Sequence, residues 1–371
     1  MRSLSVVVAA LWAGAVTAMP TSDSSTSSLT ARKPPKPVTL PNKFKWTSTG
    51  PLIGPKDDDR QLAGIKDPTI VEINGTYHVF ASTAKAEGYN LLYLNFTSFD
   101  SANSAPFFYL DQSPLGTGYR AAPEVFYFAP HKLWYLIYQN GNAAYSTNPD
   151  IGNPAGWTAP KTFYAARPKT VDDNIGAGYW VDMWVICDAA DCHLFSSDDN
   201  GHLYRSQTKV ADFPAGMSEP VIALADPDRY KLFEASCVYA VKGGKGKQKY
   251  LLLVEAIGSD DQRYFRSWTS DRIGGAWTPL ADTEENPFAR ANNVGFEGAE
   301  GAWTKSISHG EVIRTLTDQT LTIDVSEPLR FLYQGLDPAR DEGEYNALPW
   351  RLALITQQNE VGSGPGCSKR A

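Results

Sequence analysis

The sequence lacks what several large classes of protein require. Its 371 residues contain no cluster of Lys and Arg, and a net charge of −7 disfavours a surface that binds nucleic acid. Past residue 18, no apolar run is long enough to span a membrane. The 4 Cys and 5 His are not spaced as in a zinc site, and no phosphate-binding glycine loop or Ser-His-Asp pattern is present. No segment shows sustained apolar periodicity of about 3.6 residues, so few helices are expected.

The beginning of the chain has the layout of a secretory signal peptide. Residues 1–18 carry one basic residue, Arg2, then a short apolar run and a small-residue end. Residues 19–40 are rich in Ser, Thr, Pro and Lys, which predicts a disordered leader. We therefore expect an exported, monomeric protein with one domain over residues 41–359 and a C-terminal tail over residues 360–371.

The four cysteines can form disulfides in an exported protein. Cys187 and Cys192 flank a predicted hairpin turn and would face each other across two strands, which predicts a disulfide between them. Cys237 and Cys367 remain, and the sequence leaves open whether they pair.

Residues 64–80 predict a β-hairpin. Asn74-Gly75 tolerates the positive φ angles of a two-residue turn, and β-forming residues lie on both sides. A carboxylate, Asp67, comes just before the first strand. Asn74 also begins an Asn-X-Thr pattern, as does Asn95, so both are predicted glycosylation sites.

The same arrangement, a polar residue that opens a hairpin, recurs along the chain at nearly even intervals. The leading polar residues are Asp67, Glu124, Asp182, Glu234 and His309. Five similar units predict an all-β, five-bladed β-propeller, in which four-stranded sheets surround a central channel. The innermost strands begin at one mouth of the channel, so these polar side chains are expected to form a ring there. Trp157 and Trp277 follow similar turns, and each is expected to pack between neighbouring sheets.

Several carboxylates around one mouth favour glycoside hydrolysis. This reaction needs a protonated carboxyl group for the leaving oxygen and an ionised carboxylate that activates water or attacks the sugar. Opposite walls of a channel suit the separation of about 6.5–9.5 Å found in inverting enzymes. A third carboxylate near the acid would raise the acid's pKa, because two like charges resist joint ionisation.

Five motifs along residues 41–359 resemble those of glycoside hydrolase family 62, which are α-L-arabinofuranosidases. The motifs are residues 65–69, 180–188, 232–236, 263–268 and 308–311. The resemblance implies a five-bladed propeller that removes arabinofuranosyl side groups from arabinoxylan with inversion. It implies that Asp67 is the general base, that Glu234 is the general acid, and that Asp182 tunes the acid's pKa and helps to orient it.

The resemblance implies further parts of the site. Lys66, Tyr345 and Asn346 would bind the substrate, and His309 would be the protein ligand of a calcium ion whose other ligands are mostly water. Some members of the family have Tyr-Gln-Trp where residues 138–140 of this chain are Tyr-Gln-Asn. The sequence thus leaves open how the xylan chain is held, and whether arabinose is taken from O2 or O3.

Two other functions remain open at this point. A related propeller arabinanase or β-xylosidase would use the same three carboxylates on another backbone. A non-catalytic sugar-binding propeller would repeat one site per blade, whereas unlike residues lead the five units here, which favours a single catalytic centre. Residues 197–201 lack the ligand spacing of a calcium loop and are predicted to be a hairpin turn.

Overall fold

Five β-sheets, each built on one of the repeated hairpins, make up the fold. The computed structural model describes residues 39–298, 301–340 and 343–358. The predicted signal peptide, most of the leader and the predicted tail lie outside these residues. The described part contains 22 strands, one α-helix and seven short 3₁₀-helices, which confirms the predicted all-β propeller. None of its helices is both long and apolar enough to cross a membrane.

The strands follow the chain from the channel to the rim in the first three sheets, here called blades I to III. A short strand, β1 (Trp46–Ser48), comes before them. Blade I contains β2 (Gly64–Ile73), β3 (Thr76–Ala84), β4 (Leu91–Phe96) and β5 (Phe108–Tyr109). Blade II contains β6 (Ala121–Phe128), β7 (Leu133–Gln139), β8 (Ala143–Asn148) and β9 (Lys161–Thr162). Blade III contains β10 (Val181–Cys187), β11 (Asp191–Ser197), β12 (His202–Lys209) and β13 (Val221–Ala225).

Blades IV and V each have five strands. Blade IV contains β14 (Glu234–Val241), β15 (Tyr250–Ile257), β16 (Arg263–Ser270), β17 (Thr278–Ala281) and β20 (Thr322–Ile323). Blade V contains β18 (Val294–Phe296), β19 (Ser308–Val312), β21 (Arg330–Gly335), β22 (Arg351–Gln357) and β1. The helix α1 is Lys169–Asn174. The 3₁₀-helices are Phe99–Ser104, Leu110–Gln112, Pro154–Gly156, Arg229–Lys231, Gly246–Gln248, Ala291–Asn293 and Tyr345–Ala347.

Blade V closes the circle because it joins both ends of the described chain. β1 lies between β22, to which it is antiparallel, and β18, to which it is parallel. The segment around Leu321 lies between β19 and β21 in the chain but does not join blade V. It forms β20, which pairs with β14 in blade IV.

Several local predictions are confirmed. Ile73 pairs with Thr76 around the turn at Asn74-Gly75, whose φ angles are 51° and 79°. Trp157 is fully buried and meets Phe80 of blade I edge-on, with 5.5 Å between the ring centres. The outer turns therefore do place aromatic rings between neighbouring blades.

The predicted disulfide between Cys187 and Cys192 is confirmed, and it links paired residues of β10 and β11. Cys237 is buried, and Cys367 lies outside the described residues. Asn74 and Asn95 are both exposed, so glycans on them remain a prediction that the packing permits.

The first strand of every blade has a β-bulge at the same place. In four blades the bulge holds a residue in the left-handed region: Asp67 (φ 51°), Ala122 (50°), Asp182 (58°) and Ala235 (54°). In blade V the bulged residue is His309. A non-glycine residue at positive φ is strained, so each of these positions needs support from its surroundings.

That support comes from the preceding blade. In each case one of its side chains accepts a hydrogen bond from the backbone N–H of the bulged residue. The five bonds run from Asp67 to Gln334 (2.6 Å), from Ala122 to Ser82 (2.9 Å), from Asp182 to Gln139 (2.7 Å), from Ala235 to Asp182 (2.6 Å) and from His309 to Glu255 (2.6 Å). The ring of bonds fixes the blades to one another at the channel mouth. It also sets where the catalytic candidates point.

Glu124 lies one layer deeper in the channel, so its predicted place in the mouth ring was wrong. It follows the bulge of β6 by two residues, and its Oε2 accepts a hydrogen bond from Val185 N–H (2.6 Å). Glu311 occupies the same layer and accepts one from Ile70 N–H (3.1 Å). Burial raises the pKa of Glu124 well above its usual range. This deeper layer stabilises contacts between blades and is closed to the cavity.

Candidate active site

A cavity of about 540 Å³ lies at the mouth where the bulges meet. All of the residues predicted to be catalytic, substrate-binding or metal-binding line it, namely Lys66, Asp67, Asp182, Glu234, His309, Tyr345 and Asn346. Four blades and a 3₁₀-helix near the chain end contribute these side chains. Residues far apart in the sequence thus meet on one surface, as expected of a closed propeller.

Asp67 lies between two groups that can carry positive charge. Its Oδ1 is 3.6 Å from the Lys66 ammonium and 3.4 Å from His309 Nδ1, and the residue is 4% exposed. Lys66 in turn lies over the rings of Tyr89 (4.7 Å) and Tyr345 (5.1 Å). Burial opposes the charge on Lys66, but Asp67 and the two tyrosines outweigh burial and raise the pKa of Lys66 well above its ordinary value. Lys66 is therefore a buried cation beside a carboxylate.

Asp182 connects the bulge of blade III to the strand that carries Glu234. Its Oδ2 accepts a hydrogen bond from the N–H of Ala235, the residue after Glu234, and lies 3.7 Å from His309 Nδ1. Burial, and next the negative charges of Glu234 and Asp67, raise the pKa of Asp182 well above its usual range. Asp182 therefore holds a proton readily and fixes the backbone beside Glu234.

Glu234 is paired with a buried arginine. Arg263 contacts both Glu234 and Glu255, its neighbours in blade IV, and its Nη2 lies 3.3 Å from the Tyr345 hydroxyl. Burial opposes the charge of Arg263, but Glu234, Tyr345 and Glu255 raise its pKa well above the ordinary value. Arg263 thus stays charged and orients the carboxyl group of Glu234. It lies in a motif recognised in the sequence, but no role was predicted for it.

Asp199 is a further carboxyl group of the cavity that the sequence analysis missed. It lies in the turn between β11 and β12, is 9% exposed, and its Oδ1 has no hydrogen-bond partner in the described residues. Burial, followed by the charges of Glu234 and Asp182, raises the pKa of Asp199 to about 9. Residues 197–201 do form the predicted hairpin turn, but the turn opens onto the cavity.

Gln139 links the bulge of blade III to the rim of the cavity. Its Oε1 accepts from Asp182 N–H, and its Nε2 donates to the hydroxyl of Tyr119 (2.6 Å). Burial raises the pKa of Tyr119 to about 12, so its hydroxyl stays protonated. One amide therefore holds both a strained backbone position and a rim side chain.

The carboxyl groups of this cavity can supply and accept protons on a bound molecule. Within the described residues, no group of three or more His, Cys, Asp or Glu side chains could hold a metal ion. Any ion bound at His309 would depend on water for most of its ligands. The protein itself provides the acids, the bases and two buried cations.

Comparisons with known proteins agree with this geometry. The model of glycosyl hydrolase family 62 matches residues 45–356. α-L-Arabinofuranosidase C of Cellvibrio japonicus (strain Ueda107) is 43% identical over 325 residues, which cover 87% of this chain and 48% of that protein. The chain thus spans about half the length of that relative.

Two solved structures match this chain over nearly their whole length. A GH62 hydrolase in complex with xylotriose is 70% identical with a TM-score of 0.84, over 85% of this chain and 98% of that one. The α-L-arabinofuranosidase of Podospora anserina in complex with cellotriose is 65% identical with a TM-score of 0.83, over 86% and 98%. With a family match that spans most of the propeller, the chain belongs to glycosyl hydrolase family 62.

Proposed function

We propose that this protein is a secreted α-L-arabinofuranosidase that removes arabinofuranosyl side groups from arabinoxylan with inversion. The observation that carries the proposal is the single cavity that Asp67, Asp182 and Glu234 share. Its volume of about 540 Å³ lies within the range of about 300–1,000 Å³ that is usual for small-molecule sites. Membership of family 62 and the names of the related proteins support the choice of sugar.

The proposed reaction has a single displacement step. Glu234 donates its proton to the glycosidic oxygen while the bond from that oxygen to the anomeric carbon breaks. Asp67 takes a proton from a water molecule, whose oxygen forms the new bond on the opposite face of the sugar. The products are free arabinose of inverted configuration and a xylan hydroxyl group. Proton exchange with solvent then restores both carboxyl groups.

The neighbours of these two residues fit their roles. Lys66 and His309 fix the position of the Asp67 carboxylate from two sides. Asp182 bonds the N–H that follows Glu234, and Arg263 contacts the Glu234 carboxyl group. In the proposed mechanism, Lys66, Tyr345 and Asn346 bind the sugar and the adjoining xylan unit.

A calcium ion at His309 is part of the proposal, with water as its main ligand. The donor set fits only such a site, because a single imidazole cannot replace the six to eight oxygens that calcium prefers. When bound, the ion supplies positive charge that helps to hold the cavity carboxylates in place. Melting curves with and without EDTA test it, since loss of a bound ion lowers the melting temperature. EDTA should leave the melting temperature of His309→Ala unchanged, because that variant lacks the proposed ligand. An unchanged melting temperature of the wild type with EDTA would contradict the bound ion.

The function is tested with wheat arabinoxylan and debranched arabinan. We expect free arabinose from arabinoxylan, with the inverted anomer formed first in NMR spectra. Glu234→Gln should lower kcat by a factor of about 10²–10⁴, because it removes the proton that assists the leaving oxygen. Glu297→Gln, an exposed glutamate outside the cavity, is the matched control and should retain wild-type turnover.

Three outcomes would overturn parts of this proposal. Oligosaccharides from debranched arabinan without arabinose from arabinoxylan would assign an arabinanase instead. Unchanged turnover of Glu234→Gln would remove Glu234 as the acid. Binding of arabinoxylan by the wild type without any hydrolysis would make the protein a sugar-binding propeller.

A further inference from the structure

A second carboxyl group, that of Asp199, contacts the proposed acid Glu234, and the proposed reaction gives it no role. Both residues line the cavity, and their side chains are within hydrogen-bond reach of each other. Asp199 is nine-tenths buried, and its Oδ1 receives no hydrogen bond from any donor in the described part of the chain. Because an ionised carboxylate that is buried without a donor is costly, its protonation state needs an explanation.

The turn that carries Asp199 is held in place by the residue before it. Asp198 is fully buried, and its Oδ1 accepts hydrogen bonds from the N–H groups of Asn200 (2.8 Å) and His202 (3.1 Å). Asp199 itself has a left-handed backbone, with a φ angle of 53°, which aspartate and asparagine tolerate better than most residues. The fold of the turn therefore holds the carboxyl group of Asp199 beside Glu234.

The contact between the two carboxyl groups requires a proton. Two ionised carboxylates repel each other and neither can donate a hydrogen bond, so one of the pair must be protonated. Arg263, whose charge also acts on Asp199, contacts Glu234 and favours negative charge there. The shared proton therefore lies mainly on Asp199, in agreement with a pKa that burial, and then the charges of Glu234 and Asp182, raise to about 9.

Asp182, the other carboxyl group near Glu234, has different contacts. Its Oδ2 accepts a hydrogen bond from the N–H of Ala235 and lies 3.7 Å from His309 Nδ1. It thus fixes the backbone that follows Glu234, whereas Asp199 contacts the carboxyl group of Glu234 itself. Of these two neighbours, Asp199 is the one placed to exchange a proton directly with Glu234.

We propose that Asp199 is a positioning residue for the general acid, which holds a proton beside Glu234 and passes it to Glu234 in each catalytic cycle. The inference rests on the proposed function for the role of Glu234. Before the glycosidic bond breaks, the O–H bond of Asp199 breaks and an O–H bond forms on Glu234, which then protonates the leaving oxygen. The carboxylate left on Asp199 takes up a proton from solvent, so the pair returns to its first state.

The first test is the pH profile of Asp199→Asn. Asparagine keeps a hydrogen-bond donor for Glu234 and tolerates the left-handed backbone, but it has no proton to pass on. As pH rises, kcat/KM on arabinoxylan should begin to fall at least about one pH unit earlier than in the wild type. On a dinitrophenyl α-L-arabinofuranoside, whose leaving group needs no proton, turnover should stay within about twofold of the wild type. A residue that only maintained the fold would lower both activities alike at every pH.

The second test does not depend on activity. In infrared difference spectra at neutral pH, Asp199→Asn should lose the carbonyl stretch of a protonated carboxylic acid. The matched control Asp261→Asn removes an exposed aspartate from the corresponding turn of blade IV, so it should lose carboxylate bands and keep the wild-type pH profile. Loss of carboxylate bands from Asp199→Asn, or an unchanged pH profile, would overturn the inference. Loss of the protonated band in a protein that hydrolyses no arabinofuranoside would overturn the proposed function but support the proton on Asp199.

Discussion

Burial changes what a carboxyl group can do in this cavity. Asp182 and Asp199 both lie beside Glu234, and burial followed by that neighbouring charge raises the pKa of each. At neutral pH Asp199, with a pKa of about 9, is protonated and can donate a hydrogen bond. The cavity therefore carries less negative charge than its number of carboxyl groups indicates. Protons held close to Glu234 suit a reaction that consumes one at the leaving oxygen.

The raised pKa of Asp199 predicts a pH dependence of stability. The pKa of an aspartate in an unfolded chain is about 3.9, whereas the pKa of Asp199 in the folded protein is about 9. Between these values the folded state binds one more proton than the unfolded state, so the stability that Asp199 contributes is lost as pH rises towards 9. Asn at this position does not titrate. The melting temperature of Asp199→Asn minus that of the wild type should therefore increase from about pH 5 to about pH 8.

The matched control for this experiment is Asp261→Asn. Asp261 also has a left-handed backbone (φ 60°) and lies in the corresponding turn of blade IV, but it is exposed. Its curve of melting temperature against pH should run parallel to that of the wild type. A parallel curve for Asp199→Asn as well would show that Asp199 is ionised in the folded protein.

At the scale of elements, the hairpins could be predicted from the sequence but the bulges could not. Alternating apolar residues and the Asn74-Gly75 turn report on local conformation, so the first two strands of each blade were recognised. A bulge depends on a hydrogen bond that its N–H donates to a side chain of the preceding blade, and no local pattern reveals that bond. Glu124 was therefore placed in the mouth ring, although Ala122 occupies that position in blade II.

The cavity residues that were not predicted from the sequence occupy the same kind of position in their blades. A second strand runs antiparallel to the first and returns the chain to the mouth, so the residues that follow it face the cavity. Tyr89 follows β3, Gln139 ends β7, and Asp199 follows β11. The repeat in the sequence predicted cavity residues only where first strands begin. Applying the same reasoning to the ends of second strands would have found these three residues.

At the scale of the whole molecule, the ring of blades is closed by pairing between the first strand and strands near the end of the described chain. β1 pairs with β22 and β18, which follow it by some 250 to 310 residues, so blade V forms only when distant segments meet. Trp46 and Ser48 are buried, and they bond to Phe288 (2.6 Å) and Tyr333 (2.7 Å). Each strained bulge of the mouth ring is stabilised by a hydrogen bond to the preceding blade. In an open ring, the N–H of Asp67 would therefore lose its bond to Gln334 of blade V.

Thr47→Pro tests whether closure stabilises the entire propeller. Thr47 is only partly buried, so the change acts mainly through the backbone, where proline cannot donate a hydrogen bond to either neighbouring strand. We expect the free energy of unfolding to fall by about 3 kcal/mol or more, with a single transition in urea. Val221→Pro, at the first residue of edge strand β13, is the control and should cost much less. Equal losses in the two variants, or a second transition for blade V alone, would show that closure stabilises only its own blade.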